Sequence, residues 1–197
     1  MYFLYTFFQL YNILNAWEGL VALVANLFYF ETKKGGWNMY NVLDVARYVI
    51  NYSNERGYGV SNLKLQKLLY FIQAYFLTAT DDNRPCFKDK IEAWDFGPVV
   101  PNAYREFKQY GSGNIPTIES YVVFDNKNIW NSHREVYNPN VIAYDDRKMI
   151  ASVVDEFSRY SASGLVDLTH RQAPWRDAYQ RFANSEITID AIRGYFS

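Results

Sequence analysis

The chain has one cysteine, Cys86, in 197 residues. That excludes an intramolecular disulfide and any multi-cysteine zinc site. A single thiol fits a reducing cytoplasm, where the protein is expected to work. Histidine is almost as scarce. His133 and His170 stand far apart, so a metal site would have to be mostly carboxylate. No metal or other cofactor is expected. Charge of one sign is lacking as well. The net charge of −1 gives no global field to attract nucleic acid, and lysine and arginine are scattered, so no nucleic-acid partner is expected. There is no phosphate loop and no nucleophile elbow. Aromatic residues, by contrast, make up 19% of the chain, with 18 tyrosines. Tyrosine is enriched at binding surfaces, and it also fills half-buried positions. Tyr52, Tyr58, Tyr75, Tyr110 and Tyr121 are candidates for a contact surface.

At 197 residues a core can bury roughly 70% of the unfolded surface without a disulfide or metal. Residues 1–30 read differently from the rest. MYFLYTFFQLYNILNAWEGLVALVANLFYF is apolar with one charge, Glu18. That charge lies mid-segment, where a spanning helix would be penalised by about 3 kcal/mol. No basic residue precedes the apolar run, so a secretory signal fits poorly. Lys34-Gly35-Gly36 can be encoded by a ribosome-binding string, at a short distance before Met39. The expectation is therefore that translation starts at Met39 and that residues 1–38 are an upstream extension. A membrane-binding or partner-binding extension and a folded N-terminal helix are the alternatives. A membrane partner is expected only if the extension is real.

From Met39 the pattern is that of a mainly α-helical single domain with a small β element. Val42, Val45, Ala46, Val49 and Ile50 share one helical face, and Gly57 and Gly59 stop that helix. Ser61 caps the next, LKLQKLLYFIQAYFL, which is apolar on nearly all sides and so is the central helix. Lys67 lies among Leu63, Tyr70, Phe71 and Ala74 on it. A buried ammonium must find a partner or lose its proton. It is either a partner-binding or catalytic amine, or a packed stem whose head snorkels to solvent or caps a carbonyl. The second is the simpler chemistry.

The stretch IEAWDFGPVVPNAYREF, residues 91–107, reads as an extended segment and then a rigid elbow. Gly97 permits positive φ, Pro98 fixes φ, and Pro101 suits the first turn of a helix. Trp94 is held at this corner. Ala103, Tyr104, Phe107 and Tyr110 face inward, and Gly111 ends the helix. Ser120–Phe124 is a candidate strand with a turn at Asp125-Asn126, and residues 125–140 read as a polar connection. Met149, Ile150, Val153, Val154 and Phe157 share a helical face. Ser163 is the expected cap of a short helix carrying Leu165 and Leu168. Pro174 opens another, with Trp175, Ala178, Tyr179 and Phe182 inward, and Thr188 caps a last one.

Two patches taken together carry a resemblance. LKLQKLLYFIQAYFL with IEAWDFGPVVPNAYREFKQYG resembles the N-terminal half of the Panacea, or SocA-like, antitoxin domain, also described as GepA-like and phage-associated. LVDLTHRQAPW with ITIDAIRGYF resembles its C-terminal half. The match runs from about Met39 to Phe196, so residues 39–197 form the domain and residues 1–38 lie outside it. The resemblance implies an antitoxin that neutralises a cognate protein toxin, encoded next door, by direct contact and without catalysis. Delivery of the toxin to a protease by an adaptor is the family's other mode. The matching positions are Leu65, Lys67, Tyr70, Trp94, Gly97, Pro98, Val99, Pro101 and Tyr104, then Thr169, His170, Pro174 and Trp175.

A different class of function rests on Asp167 and His170, three residues apart, which could form the acid–base pair of a hydrolase. No nucleophile of matching context stands near them. The competing reading is a structural histidine joining two helices, with the Thr169-His170 step satisfying N–H groups at the next helix start.

Overall fold

In the computed structural model, residues 39–79, 83–124 and 131–197 are described. The readings of residues 1–38 and of the Asp125-Asn126 turn lie outside them. Helix α1, Val42–Glu55, starts where the Asn41 side chain accepts from Leu43 N. It ends before Gly57, which takes φ +73°. Helix α2, Asn62–Thr78, is capped by Ser61, whose side chain accepts from Lys64 N. Its two apolar stripes bury it on almost every side, as a helix without a polar face must be. Around it pack α1, the short helix α3 (Pro101–Phe107), α4 (Tyr144–Glu156), α5 (Ala162–His170) and α7 (Ile189–Phe196). Helix α6, Ala173–Ala178, lies against α5 and α7. The architecture is mainly α, as the periodicity predicts.

The β part is larger than the sequence suggests. Strands β1 (Ile91–Trp94) and β2 (Gly97–Val99) form an antiparallel hairpin, and β5 (Glu186–Ile187) pairs with the other side of β1. So Gly97 and Pro98 sit in a strand, not only at an elbow. A proline is tolerated there because β2 is an edge of the three-stranded sheet. A second antiparallel pair joins β3 (Ser120–Val123) to β4 (His133–Val136). The stretch read as a polar connection therefore contains a strand.

Two expected details are corrected. The cap of α5 is Ser161, whose Oγ accepts from Gly164 N at 3.0 Å, rather than Ser163, which lies inside the helix. Phe182 is 84% exposed, because α6 stops at Ala178 and the chain turns away before reaching it.

Candidate functional site

The polar residues of α2 are the starting point, because a buried helix can carry them only if each is answered. Lys67 is 0% exposed. Its Nζ donates to the carbonyl of Pro98 at 2.9 Å. Of the two positions the sequence left for its head, the carbonyl cap is the one found, and snorkelling is not. No carboxylate pairs with it among the described residues. Burial alone lowers its pKa to about 7, against an ordinary 10.5.

One residue earlier, Gln66 Oε1 accepts from Val100 N at 3.0 Å, and its amide nitrogen donates to Asn62 Oδ1 at 2.9 Å. Asn62 in turn donates to the Tyr104 carbonyl at 3.0 Å. The first turns of α2 thus hold three backbone groups of the 98–104 segment, at Pro98, Val100 and Tyr104. Gln73 does the same for the approach to β1. Its Oε1 accepts from Cys86 N and Phe87 N, and its nitrogen donates to Phe87 O at 3.0 Å. The sequence reading singled out Lys67 and missed Asn62, Gln66 and Gln73. The signal was the same for all four: a polar side chain on an all-apolar helix.

Gly97 has φ +94° and lies against this node. An added Cβ would come within 2.8 Å of both Lys67 Cε and Thr169 Oγ1. Thr169 is fully buried, and its hydroxyl bonds back to the carbonyls of Leu165 and Val166, both at 3.0 Å. It therefore does not serve the start of α6, contrary to expectation. The elbow after Gly97 is as predicted, with Pro101 in the first turn of α3.

Trp94 and Trp175 join the two sequence patches. Trp175 Nε1 donates to the Trp94 carbonyl at 3.0 Å. The indole of Trp94 meets the Tyr104 ring edge-on at 5.0 Å, and its Nε1 donates to Glu92. The His170 ring stacks on Trp175 with centroids 3.8 Å apart, and the Tyr179 ring also stacks on Trp175, at 4.7 Å. Tyr179 donates to Asp95 Oδ1 at 2.9 Å, which ties the α6 exit to the β1–β2 turn. Pro174 is buried in the first turn of α6. Tyr70 is fully buried with its hydroxyl unpartnered among the described residues, and burial pushes its pKa up.

Lys67, Gly97, Pro98 and Thr169 therefore meet at one point, and Trp94, Tyr104, His170 and Trp175 form the adjoining aromatic wall. Among the described residues His170 Nε2 is buried without a hydrogen-bond partner, and burial, followed by the Lys67 charge, lowers its pKa. The Asp167 charge, and then a contact with the Asp95 backbone, oppose that shift. Asp167 is exposed and shares no hydrogen bond with His170. Cys86 is fully buried, and burial pushes its thiol pKa up, away from a reactive thiolate. Among the described residues, no group of three or more His, Cys, Asp or Glu side chains is placed to hold a metal, and no helix is long and apolar enough to cross a membrane.

The side chains that meet here come from the two sequence patches that carry the resemblance. The family model described as "Antitoxin SocA-like, Panacea domain" matches residues 65–176, and the chain belongs to that family. It is 35% identical over 132 residues to the protein named Antitoxin SocA of Caulobacter vibrioides (strain NA1000 / CB15N). The matched part is 66% of this chain and 66% of that protein, so the chain spans just under two thirds of its relative's length. No solved structure matches the chain.

Proposed function

We propose that this protein is a cytoplasmic antitoxin that neutralises a cognate protein toxin by binding it directly, with no catalytic step of its own. The observation that carries this is the use made of the family's residues. Lys67, Trp94, Gly97, Pro98, Thr169 and Trp175 are spent on one another and on backbone groups, and the buried Lys67 amine has no exposure to a substrate. Residues held this way stiffen a scaffold, and a stiff scaffold lowers the ordering cost when a partner docks. Membership of the SocA-like family supports a toxin as that partner.

The test is co-expression with the protein encoded by the adjacent reading frame. Growth arrest by that protein alone, rescue by this chain and co-purification as a stoichiometric complex are the expected results. Toxin that disappears only in protease-competent cells would replace blocking with adaptor-led degradation. Rescue that His170→Ala or Asp167→Ala abolishes, with folding unchanged, would overturn the non-enzymatic reading in favour of hydrolysis.

A further inference from the structure

We propose that the groove between α1 and α4 is the toxin-docking surface, and that it receives an acidic segment of the toxin. The proposal deepens the antitoxin reading and rests on it. The groove has a volume of about 370 Å³, room for a few side chains of a loop or helix. Tyr48, Tyr52 and Tyr144 supply its aromatic surface, and Arg56, Arg147 and Lys148 its cations.

Three observations point to a bound partner. The first is that the walls are already ordered. Tyr48 and Tyr52 stack with centroids 6.0 Å apart. Tyr52 and Tyr58 both donate to Asp155, at 2.8 and 2.9 Å, across two segments of chain. Rings fixed in this way lose little freedom on binding. The second is charge. Among the described residues Asp155 is the one carboxylate lining the groove, and two hydroxyls already occupy its oxygens. All three cations lie near rings, and of them only Lys148 also pairs with a carboxylate, the exposed Asp145 at 3.5 Å. Arg56 lies 5.2 Å from the Tyr52 centroid, and Arg147 and Lys148 lie 5.7 and 4.2 Å from that of Tyr144. The third is Arg147 Nε, a buried donor with no partner in the described residues. Tyr144 itself is 64% exposed, a large aromatic side chain of the kind that anchors an interface when a partner covers it.

A carboxylate-bearing protein segment fits this better than a nucleic acid. Asp145, 3.5 Å from Lys148, Asp155 and Glu55 interleave with the cations. Separate acidic side chains can thread such a pattern, whereas a continuous phosphate backbone meets each of these carboxylates.

The experiment uses the full chain and the protein encoded beside it, with affinity measured by calorimetry. Arg56→Glu/Lys148→Glu changes two exposed side chains and should leave the unfolding midpoint in place. It should weaken toxin binding by about a hundredfold and abolish rescue. Tyr144→Ala should weaken it by about tenfold. Phe96→Ser/Phe182→Ser, on exposed rings of the β1–β2 turn and the segment after α6, should bind as the wild type does. If Arg56→Glu/Lys148→Glu binds like the wild type, the groove is not the docking surface while the antitoxin reading stands. If the wild-type chain binds no toxin, the antitoxin reading falls, and this proposal with it. A fluorescein-labelled single-stranded oligonucleotide held by the wild type and released by the double charge reversal, with toxin binding unchanged, would assign the groove to nucleic acid and overturn the proposal.

Discussion

The amine of Lys67 ends 2.9 Å from the Pro98 carbonyl, and its stem fills the space that a side chain on Gly97 would need. The two residues are complementary: the missing Cβ makes room for the lysine, and the lysine closes the gap. Gly97→Ala adds a carbon within 2.8 Å of Lys67 Cε and Thr169 Oγ1, on a backbone with φ +94°. Clash and left-handed strain act together, so a loss of about 3 kcal/mol or more is expected. Urea unfolding of the purified chain measures it. A variant as stable as the wild type would show that this packing contributes little.

The same amine should set a pH dependence. Its folded pKa of about 7 lies below the ordinary 10.5, so between those values the unfolded chain holds a proton that the folded chain has released. Stability therefore rises as pH climbs from about 7 toward 10, and is lost as pH falls back through 7. Cys86, whose thiol burial holds above its ordinary 9.0, acts in the opposite sense as pH approaches and passes 9, and Tyr40 and Tyr137, with pKa values pushed up to about 12 chiefly by burial, do so above pH 10. Lys67→Met keeps most of the stem and removes the titration. Its unfolding midpoint should stay flat from about pH 7 to about 8.5, below the range where Cys86 titrates in the unfolded chain, while that of the wild type increases. Parallel profiles would refute the assignment.

Much of this frame can be read from the sequence where one rule acts alone. Helix α2 is legible because an all-round apolar helix has only one place to go, and Ser61 and Thr188 cap as their side chains predict. The β1–β2 hairpin is hidden because Gly97-Pro98 has the composition of a turn. It becomes a strand only because β1 supplies partners and β2 is an edge. Strand β5 is two residues long and carries no pattern of its own. Phe182 continues the periodicity of α6 on paper. In the fold, Tyr179 is tied to Asp95 and the helix has already ended. The site was partly legible. Its residues could be listed from the two patches, but the contact of Trp94 with Trp175 spans 81 positions and has no local signature.

Gln73 has the next testable role. Its side chain takes two N–H groups and gives one to a carbonyl, all in the 86–87 segment that leads to β1. Gln73→Leu preserves the volume approximately and leaves these buried backbone groups unanswered. At about 1–3 kcal/mol for each buried group left unpaired, a loss of roughly 3 kcal/mol is expected. Native-state hydrogen exchange checks the mechanism. The amides of Cys86 and Phe87 should exchange far faster in the variant, while those in the middle of α1 change only with global stability.

Asn51 ties the chain just before the β3–β4 ribbon to α1 through Ile118, and within the ribbon Tyr121 makes the contact with the body. Two-stranded ribbons are marginal by themselves, and all four β4 residues are exposed. Arg47, almost buried in α1, lies 3.4 Å from the centroid of the Tyr121 ring and is held there by Asp44 at 3.0 Å. Tyr121 also donates to Glu135 on β4 at 2.8 Å, so a single side chain binds strand to strand and ribbon to body. Tyr121→Ala removes both links. Because the ribbon covers little of the core, the loss of global stability should be only about 1 kcal/mol. Local opening should be much larger, with the amides of residues 120–123 and 133–136 exchanging at nearly the rate of an unfolded peptide. Tyr121→Phe separates the two links, since it keeps the ring over Arg47 and loses only the hydroxyl. It should stay docked, with intermediate protection. If Tyr121→Phe opened the ribbon as far as Tyr121→Ala does, the anchor would be the hydroxyl on Glu135 and not the cation on the ring.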